Sequence, residues 1–153
     1  MKAAFYTLGC KVNQNETGAL EQMFRAAGYE IVPAGQAADV YIVNSCTVTA
    51  GGDAKSRQWL RRARRENPAA VTVLTGCYPQ AFPGQAAIPE ADIVTGTAAR
   101  GRLLQDLEQY LATRRQVVDI APHAKGEAFE ELPIEKMEGR TRAFVKVQDG
   151  CNR

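Results

Sequence analysis

Phe5-Tyr6-Thr7-Leu8-Gly9-Cys10, Val40-Tyr41-Ile42-Val43-Asn44-Ser45-Cys46 and Val71-Thr72-Val73-Leu74-Thr75-Gly76-Cys77 are three short apolar runs, each ending in a small residue followed by cysteine. Runs of this length, rich in Val, Ile and Tyr, are strands buried on both faces. A parallel sheet brings every strand's C-terminal end to one edge, so residues far apart in sequence can converge there. The repetition therefore predicts one site built from three strand ends, and three thiolates there would suit an iron-sulfur cluster.

Outward from these runs, strands and helices alternate. After the strand at residues 3–8, Leu20, Met23, Phe24 and Ala27 recur at i, i+3, i+4 and i+7, which predicts an amphipathic helix that Gly28 can end. Asn13 with Glu16 resembles a capping box, with Asn15 as the other candidate cap. A short strand near Glu30–Val32, the strand at 40–44, and a helix from about Asp53 to Asn67 stopped before Pro68 follow. The strand at 71–75 leads into a region broken by Pro79, Pro83 and Pro89. A strand at 92–95 then precedes a helix carrying Leu103, Leu104, Leu107, Tyr110 and Leu111.

Five strands interleaved with helices imply an α/β fold, a doubly wound parallel sheet of flavodoxin-like order 2-1-3-4-5. In that order the three cysteine-bearing strands are immediate neighbours. Residues 1–115 form this domain. Residues 116–140, with Pro122, Gly126, Pro133, Gly139 and five glutamates over 127–138, read as a linker or edge segment. Arg142-Ala143-Phe144-Val145-Lys146-Val147 alternates like a new strand leading to Cys151, so 141–153 read as the start of a further domain.

The 153 residues suffice for one compact core. Nineteen Lys and Arg against seventeen Asp and Glu make a weak overall field, so any nucleic-acid partner must be recognised by local charge. The N-terminal apolar run is too short for a signal or spanning segment, which points to the cytoplasm and to no membrane. Thiols stay reduced there, so the four cysteines are better explained by metal, redox chemistry or burial than by disulfides.

For a single buried cysteine the ordinary role is that of a small hydrophobe. Three at matched strand ends favour a shared site. Zinc is poorly served, because C-x2-C pairs are absent and the sole histidine, His123, follows a proline in what reads as a surface loop. A catalytic cysteine lacks an obvious base, and neither G-x-G-x-x-G nor a Walker pattern occurs. Thiolate ligation of iron by Cys10, Cys46 and Cys77 remains, which would leave one iron of a four-iron cluster without a protein thiolate.

Thr7-Leu8-Gly9-Cys10-Lys11-Val12-Asn13-Gln14, Asn44-Ser45-Cys46-Thr47-Val48-Thr49 and Thr75-Gly76-Cys77-Tyr78 resemble the N-terminal domain of radical-SAM methylthiotransferases. The Lys-Val-Asn-Gln sequence after Cys10 and Gln148-Asp149-Gly150-Cys151-Asn152 look most like the MtaB branch, which modifies threonylcarbamoyladenosine next to the tRNA anticodon. The resemblance implies that Cys10, Cys46 and Cys77 bind an auxiliary 4Fe-4S cluster. It also implies that Cys151 opens a C-x3-C-x2-C motif for a second 4Fe-4S cluster, which cleaves S-adenosyl-L-methionine to a radical. The later cysteines, the barrel that binds S-adenosyl-L-methionine and the C-terminal RNA-binding domain of the family lie outside this sequence, so it reads as an N-terminal fragment, inactive alone. For the full-length enzyme the resemblance to this branch implies tRNA as substrate and an electron donor protein as partner. Departures are Ser45 where threonine is usual, Pro79 where alanine is usual, and the Gly51-Gly52 turn; none removes a ligand. The alternatives are a methylthiotransferase acting on isopentenyladenosine in tRNA or on a ribosomal-protein aspartate, and, in another class, a non-enzymatic flavodoxin-like binding module.

Lys55, Arg57, Arg61, Arg62, Arg64 and Arg65 crowd one helix, with Trp59, Leu60 and Ala63 left for the sheet. This face is either simply solvated, an approach to tRNA phosphates, or a partner for the acidic residues of 127–138. Asn13 and Asn44 adjoin the cysteines and could hydrogen-bond around a cluster, or serve as caps and turn formers.

Overall fold

The computed structural model describes residues 1–47 and 51–123. Its six strands are β1 (Lys2–Thr7), β2 (Glu30–Val32), β3 (Val40–Ser45), β4 (Val71–Gly76), β5 (Ile93–Thr95) and β6 (Val117–Asp119). They form one all-parallel sheet in the order β2-β1-β3-β4-β5-β6. The expected flavodoxin-like order is thus present, with β6 added as an edge strand inside the stretch read as a linker or edge segment. Every residue of β3 and β4 is buried, as central strands of a doubly covered sheet must be.

Among the described residues five helices cover the two faces: α1 (Lys11–Ala26), α2 (Gly52–Glu66), α3 (Cys77–Ala81), α4 (Pro83–Ala86) and α5 (Leu103–Thr113), the last preceded by a 3-10 turn at Arg100–Arg102. On one face Leu20 and Phe24 of α1 and Leu103 and Leu107 of α5 pack on Ala3, Val40, Ile42, Val71, Val73 and Ile93. On the other, Leu60 of α2 and Tyr78 of α3 meet Val43, Leu74 and Val94. Burial of such aliphatic side chains contributes roughly 1.5–3 kcal/mol each.

Gly28 ends α1 as expected. Its amide donates to the Arg25 carbonyl and that of Tyr29 to the Phe24 carbonyl, both at 2.9 Å, the double closure that a left-handed glycine permits. The capping box is not formed: α1 begins at Lys11 with Cys10 at its N-cap, and Asn13 and Glu16 lie inside the helix, both buried. Their side chains turn inward because polar partners wait there, as described below. The proline-broken region also proves helical, with Pro79 in the first turn of α3 and Pro83 opening α4, positions whose amides would have no intrahelical acceptor.

Asp106 in the first turn of α5 is buried, and its Oδ2 has no hydrogen-bond partner among the described residues. Burial, reinforced by the nearby Asp119 charge and opposed by Arg102, pushes its carboxyl up to about 6. Between about pH 4 and 6 the unfolded chain has released this proton while the folded chain retains it, so stability falls across that window and the penalty is complete above it. Asp106→Asn is expected to raise stability by about 1–2 kcal/mol at pH 8 and to make little difference at pH 4. Urea unfolding at the two pH values checks this, and an equal effect at both would rule out ionisation as the cause.

Candidate metal centre

The three cysteines lie at the C-terminal edge of neighbouring strands β1, β3 and β4. Cys46 directly follows β3, and Cys77 directly follows β4 as the first residue of α3. Their predecessors Ser45 and Gly76 are opposite each other in the parallel register. Thr7, the last residue of β1, is opposite Asn44, and the Leu8 amide continues the ladder to the Asn44 carbonyl at 2.8 Å. Gly9 then turns the chain at φ +108° so that Cys10 stands at the N-cap of α1.

Close approach is built into this edge. A Cβ on Gly9 would lie 2.5 Å from the Cys46 Cβ and 2.8 Å from its Sγ, so the loop carrying Cys10 packs directly on the Cys46 side chain. Cys10 is exposed, Cys77 half-buried and Cys46 buried. Burial, then the negative charges of Glu16 and Cys46, push the Cys77 thiol up to about 11; Arg100 opposes this and Cys10 adds to it. The three thiols therefore share one electrostatic neighbourhood, and metal binding at Cys77 must displace a proton. This differs from the low thiol pKa that a helix N-terminus alone would confer.

Among the described residues no set of three or more His, Cys, Asp or Glu side chains surrounds a point that could hold one metal ion. A four-iron cluster makes a different demand, one thiolate on each of three separate irons. Three soft thiol donors on adjacent strand ends, one exposed and one half-buried, fit that requirement. His123 is exposed, as expected of a surface residue, with its Nε2 2.7 Å from the Thr97 hydroxyl. Cys151 lies outside the described residues, as does the acidic stretch 127–138.

Beneath the cysteines lies a polar layer that the strand runs only partly reveal. Thr7, Asn44 and Thr75 are opposite one another across β1, β3 and β4, and Asn44, Thr75 and Thr95 are each no more than 1% exposed. Ser45 points to the other face and donates from Oγ to the Thr75 carbonyl at 2.7 Å. Under α1 runs an ion pair that sequence reasoning missed, Arg100 Nη1 to Glu16 Oε1 at 2.9 Å, with Arg100 1% and Glu16 3% exposed. One signal was available: Glu16 stands four residues before Leu20, on the apolar stripe of α1, where a charge demands a buried partner.

The basic helix α2 is less open than its composition suggests. Arg61 donates from both Nε and Nη2 to the single oxygen Oε1 of Glu90, Arg57 pairs with Asp53, Arg62 with Glu66, and Arg64 with Asp92. Burial alone would raise the Glu90 and Asp92 carboxyls. The Arg61 guanidinium on Glu90, and the Thr72 amide with Arg64 and Tyr110 on Asp92, instead hold both below the usual carboxylate range. Leu60 and Ala63 face the sheet as expected, while Trp59 is half-buried, stacked on Tyr6 with ring centroids 3.8 Å apart and with the Arg62 guanidinium over its ring. Lys55 and Arg65 are exposed.

Residues 2–96 match the model of the family described as "Uncharacterized protein family UPF0004". The chain belongs to this family. The UPF0004 match spans β1 to β5 and all three cysteines at the sheet edge. Over 150 residues, 97% of the chain, it is 49% identical to the threonylcarbamoyladenosine tRNA methylthiotransferase MtaB of Bacillus subtilis strain 168, covering 33% of that protein. It is 44% identical, over its whole length, to the protein of the same name from Aquifex aeolicus strain VF5, covering 38% of it. A tRNA-2-methylthio-N(6)-dimethylallyladenosine synthase of Pelotomaculum thermopropionicum is 30% identical over 99% of the chain and 35% of that protein. The UPF0004 chain thus spans about a third of the length of the curated relatives it matches. Among its described residues no helix is long and apolar enough to cross a membrane.

Proposed function

We propose that this UPF0004 domain is the auxiliary-cluster domain of a cytoplasmic radical-SAM methylthiotransferase acting on threonylcarbamoyladenosine next to the tRNA anticodon. The observation that carries the reading is the convergence of Cys10, Cys46 and Cys77 on one sheet edge, with the loop of Cys10 packed on Cys46 and the Cys77 thiol within the field of both others. The higher identity to the two threonylcarbamoyladenosine enzymes, 49% and 44% against 30% for the dimethylallyladenosine synthase, favours that substrate.

In this reading Cys10, Cys46 and Cys77 would hold a 4Fe-4S cluster, and Cys151 would contribute the first ligand of a second. With only three protein thiolates the auxiliary cluster would supply an open iron position, suited to holding a sulfur donor. The chain's own work is to present three thiolates from a rigid edge, exclude water from Cys46, and release the Cys77 proton as metal binds. S-adenosyl-L-methionine, tRNA and an electron donor protein would be engaged by the whole enzyme.

Iron and acid-labile sulfide content after anaerobic reconstitution, with electron paramagnetic resonance of the reduced sample, tests the reading. About four irons per chain are expected, and these should be lost when Cys10, Cys46 and Cys77 are all changed to alanine. A folded wild-type chain that takes up no iron would return the cysteines to core packing and favour a binding module.

A further inference from the structure

We propose that Asn44 is a positioning residue that fixes the three cysteine-bearing loops relative to one another. The inference rests on the reading of those cysteines as metal ligands, and deepens it by naming what holds their spacing. Asn44 is 1% exposed and stands two residues before Cys46. Its main-chain carbonyl accepts from the Leu8 amide at 2.8 Å, securing the strand end that leads to Cys10. Its side-chain Nδ2 donates to the Asn13 carbonyl at 3.0 Å and to the Thr17 hydroxyl at 3.2 Å, both on α1.

The other half of the amide faces the remaining loop. Oδ1 accepts from Asn13 Nδ2 at 3.3 Å and packs against Gly76, filling the space a Cβ there would need. Gly76 is the residue before Cys77. Asn13 extends the frame, donating from the same Nδ2 to the Ser45 carbonyl at 2.8 Å; in the metal-free chain its Oδ1 also accepts from the protonated Cys10 thiol at 3.2 Å, a bond that ligation of Cys10 would release. A continuous set of contacts therefore runs from Cys10 through Asn13 and Asn44 to Gly76, with Cys46 carried on the same strand. The amide orientation is settled by its partners, since the main-chain carbonyls of Asn13 and Ser45 can only accept.

The chemistry selects asparagine. The position needs two donors and one acceptor on a short stem, with the acceptor flat against a glycine. Aspartate keeps the shape but turns an acceptor toward the Asn13 carbonyl. Serine cannot reach both α1 and Gly76. Polar groups that orient ligands from behind are how proteins fix the geometry of a metal site.

Wild type, Asn44→Asp, Asn44→Ser and Thr17→Val, each as this chain, are to be reconstituted anaerobically with iron and sulfide. Readings are iron per folded chain, with folding followed by circular dichroism, and the electron paramagnetic resonance spectrum after reduction. The expected result is that Asn44→Asp falls below half the wild-type iron and gives a shifted or broadened signal, while Thr17→Val, which removes the bonds from Asn44 and from Thr7 but leaves the Asn44 contacts with Leu8, Asn13 and Gly76, keeps its iron. Should Asn44→Asp fail to fold, Asn44→Ser decides. Folded Asn44 variants with wild-type iron and spectrum, even if less heat-stable, would overturn the inference. A wild-type chain that binds no iron would overturn the metal reading itself and this inference with it.

Discussion

Replacing Glu16 with alanine is expected to cost about 3–5 kcal/mol of folding stability, the range for leaving one member of a buried ion pair without its partner. Arg100 heads the fully buried side chains by volume, and its guanidinium meets Glu16 at 2.9 Å beneath α1. A cation at that depth cannot recover its hydration without opening the contact between α1 and the turn before α5. The melting temperature should fall by about 10 °C or more. Glu16→Leu combined with Arg100→Met should restore most of the loss, because an apolar pair of similar volume removes the desolvation cost along with the attraction. Thermal unfolding of the single and double variants measures both. A single variant within about 1 kcal/mol of wild type would mean that the Arg100 charge is satisfied without Glu16.

The pair also bears on the proposed chemistry. Glu16 opposes and Arg100 favours ionisation of Cys77, so α1 and the 3-10 turn at Arg100–Arg102 bring compensating charges to the cysteine edge.

The architecture was legible because its signals are local. Three short apolar runs ending at cysteine, separated by helical periodicity, allow few topologies other than a parallel sheet with those ends on one edge. What escaped was set by distant partners. Val117–Asp119 is too short to alternate visibly and is a strand because Val117, Val118 and Asp119 pair with Ile93, Val94 and Thr95. Asn13 and Glu16 match a cap pattern in sequence, yet Asn44 and Arg100 draw them inward once the sheet forms. The arginines of α2 read as one basic face, but Glu90 and Asp92, supplied by the approach to β5, meet Arg61 and Arg64. Charge partners so far along the chain leave no mark in a local window.

Gly76→Ala is expected to cost about 3–4 kcal/mol, and to disturb metal uptake more than the stability loss alone would. Two effects add. Gly76 has φ +101° and ψ −155°, a region that only glycine occupies without strain, which accounts for about 1–3 kcal/mol. An added Cβ would also strike Asn44 Oδ1 and the Ser45 carbonyl and lie 2.8 Å from the Ser45 nitrogen. Those atoms belong to β3, a central strand buried on both faces, so the intruding methyl must displace the loop that carries Cys77 instead. Gly28→Ala is the control: φ is +85°, but nothing lies within 4 Å of the new Cβ, so its cost should be near 1 kcal/mol with iron binding intact. Urea unfolding of the two metal-free variants, followed by iron content at a temperature where both are folded, gives the comparison. If Gly76→Ala behaved like Gly28→Ala in both measurements, the tight contact between β3 and the Cys77 loop would have no part in shaping the site.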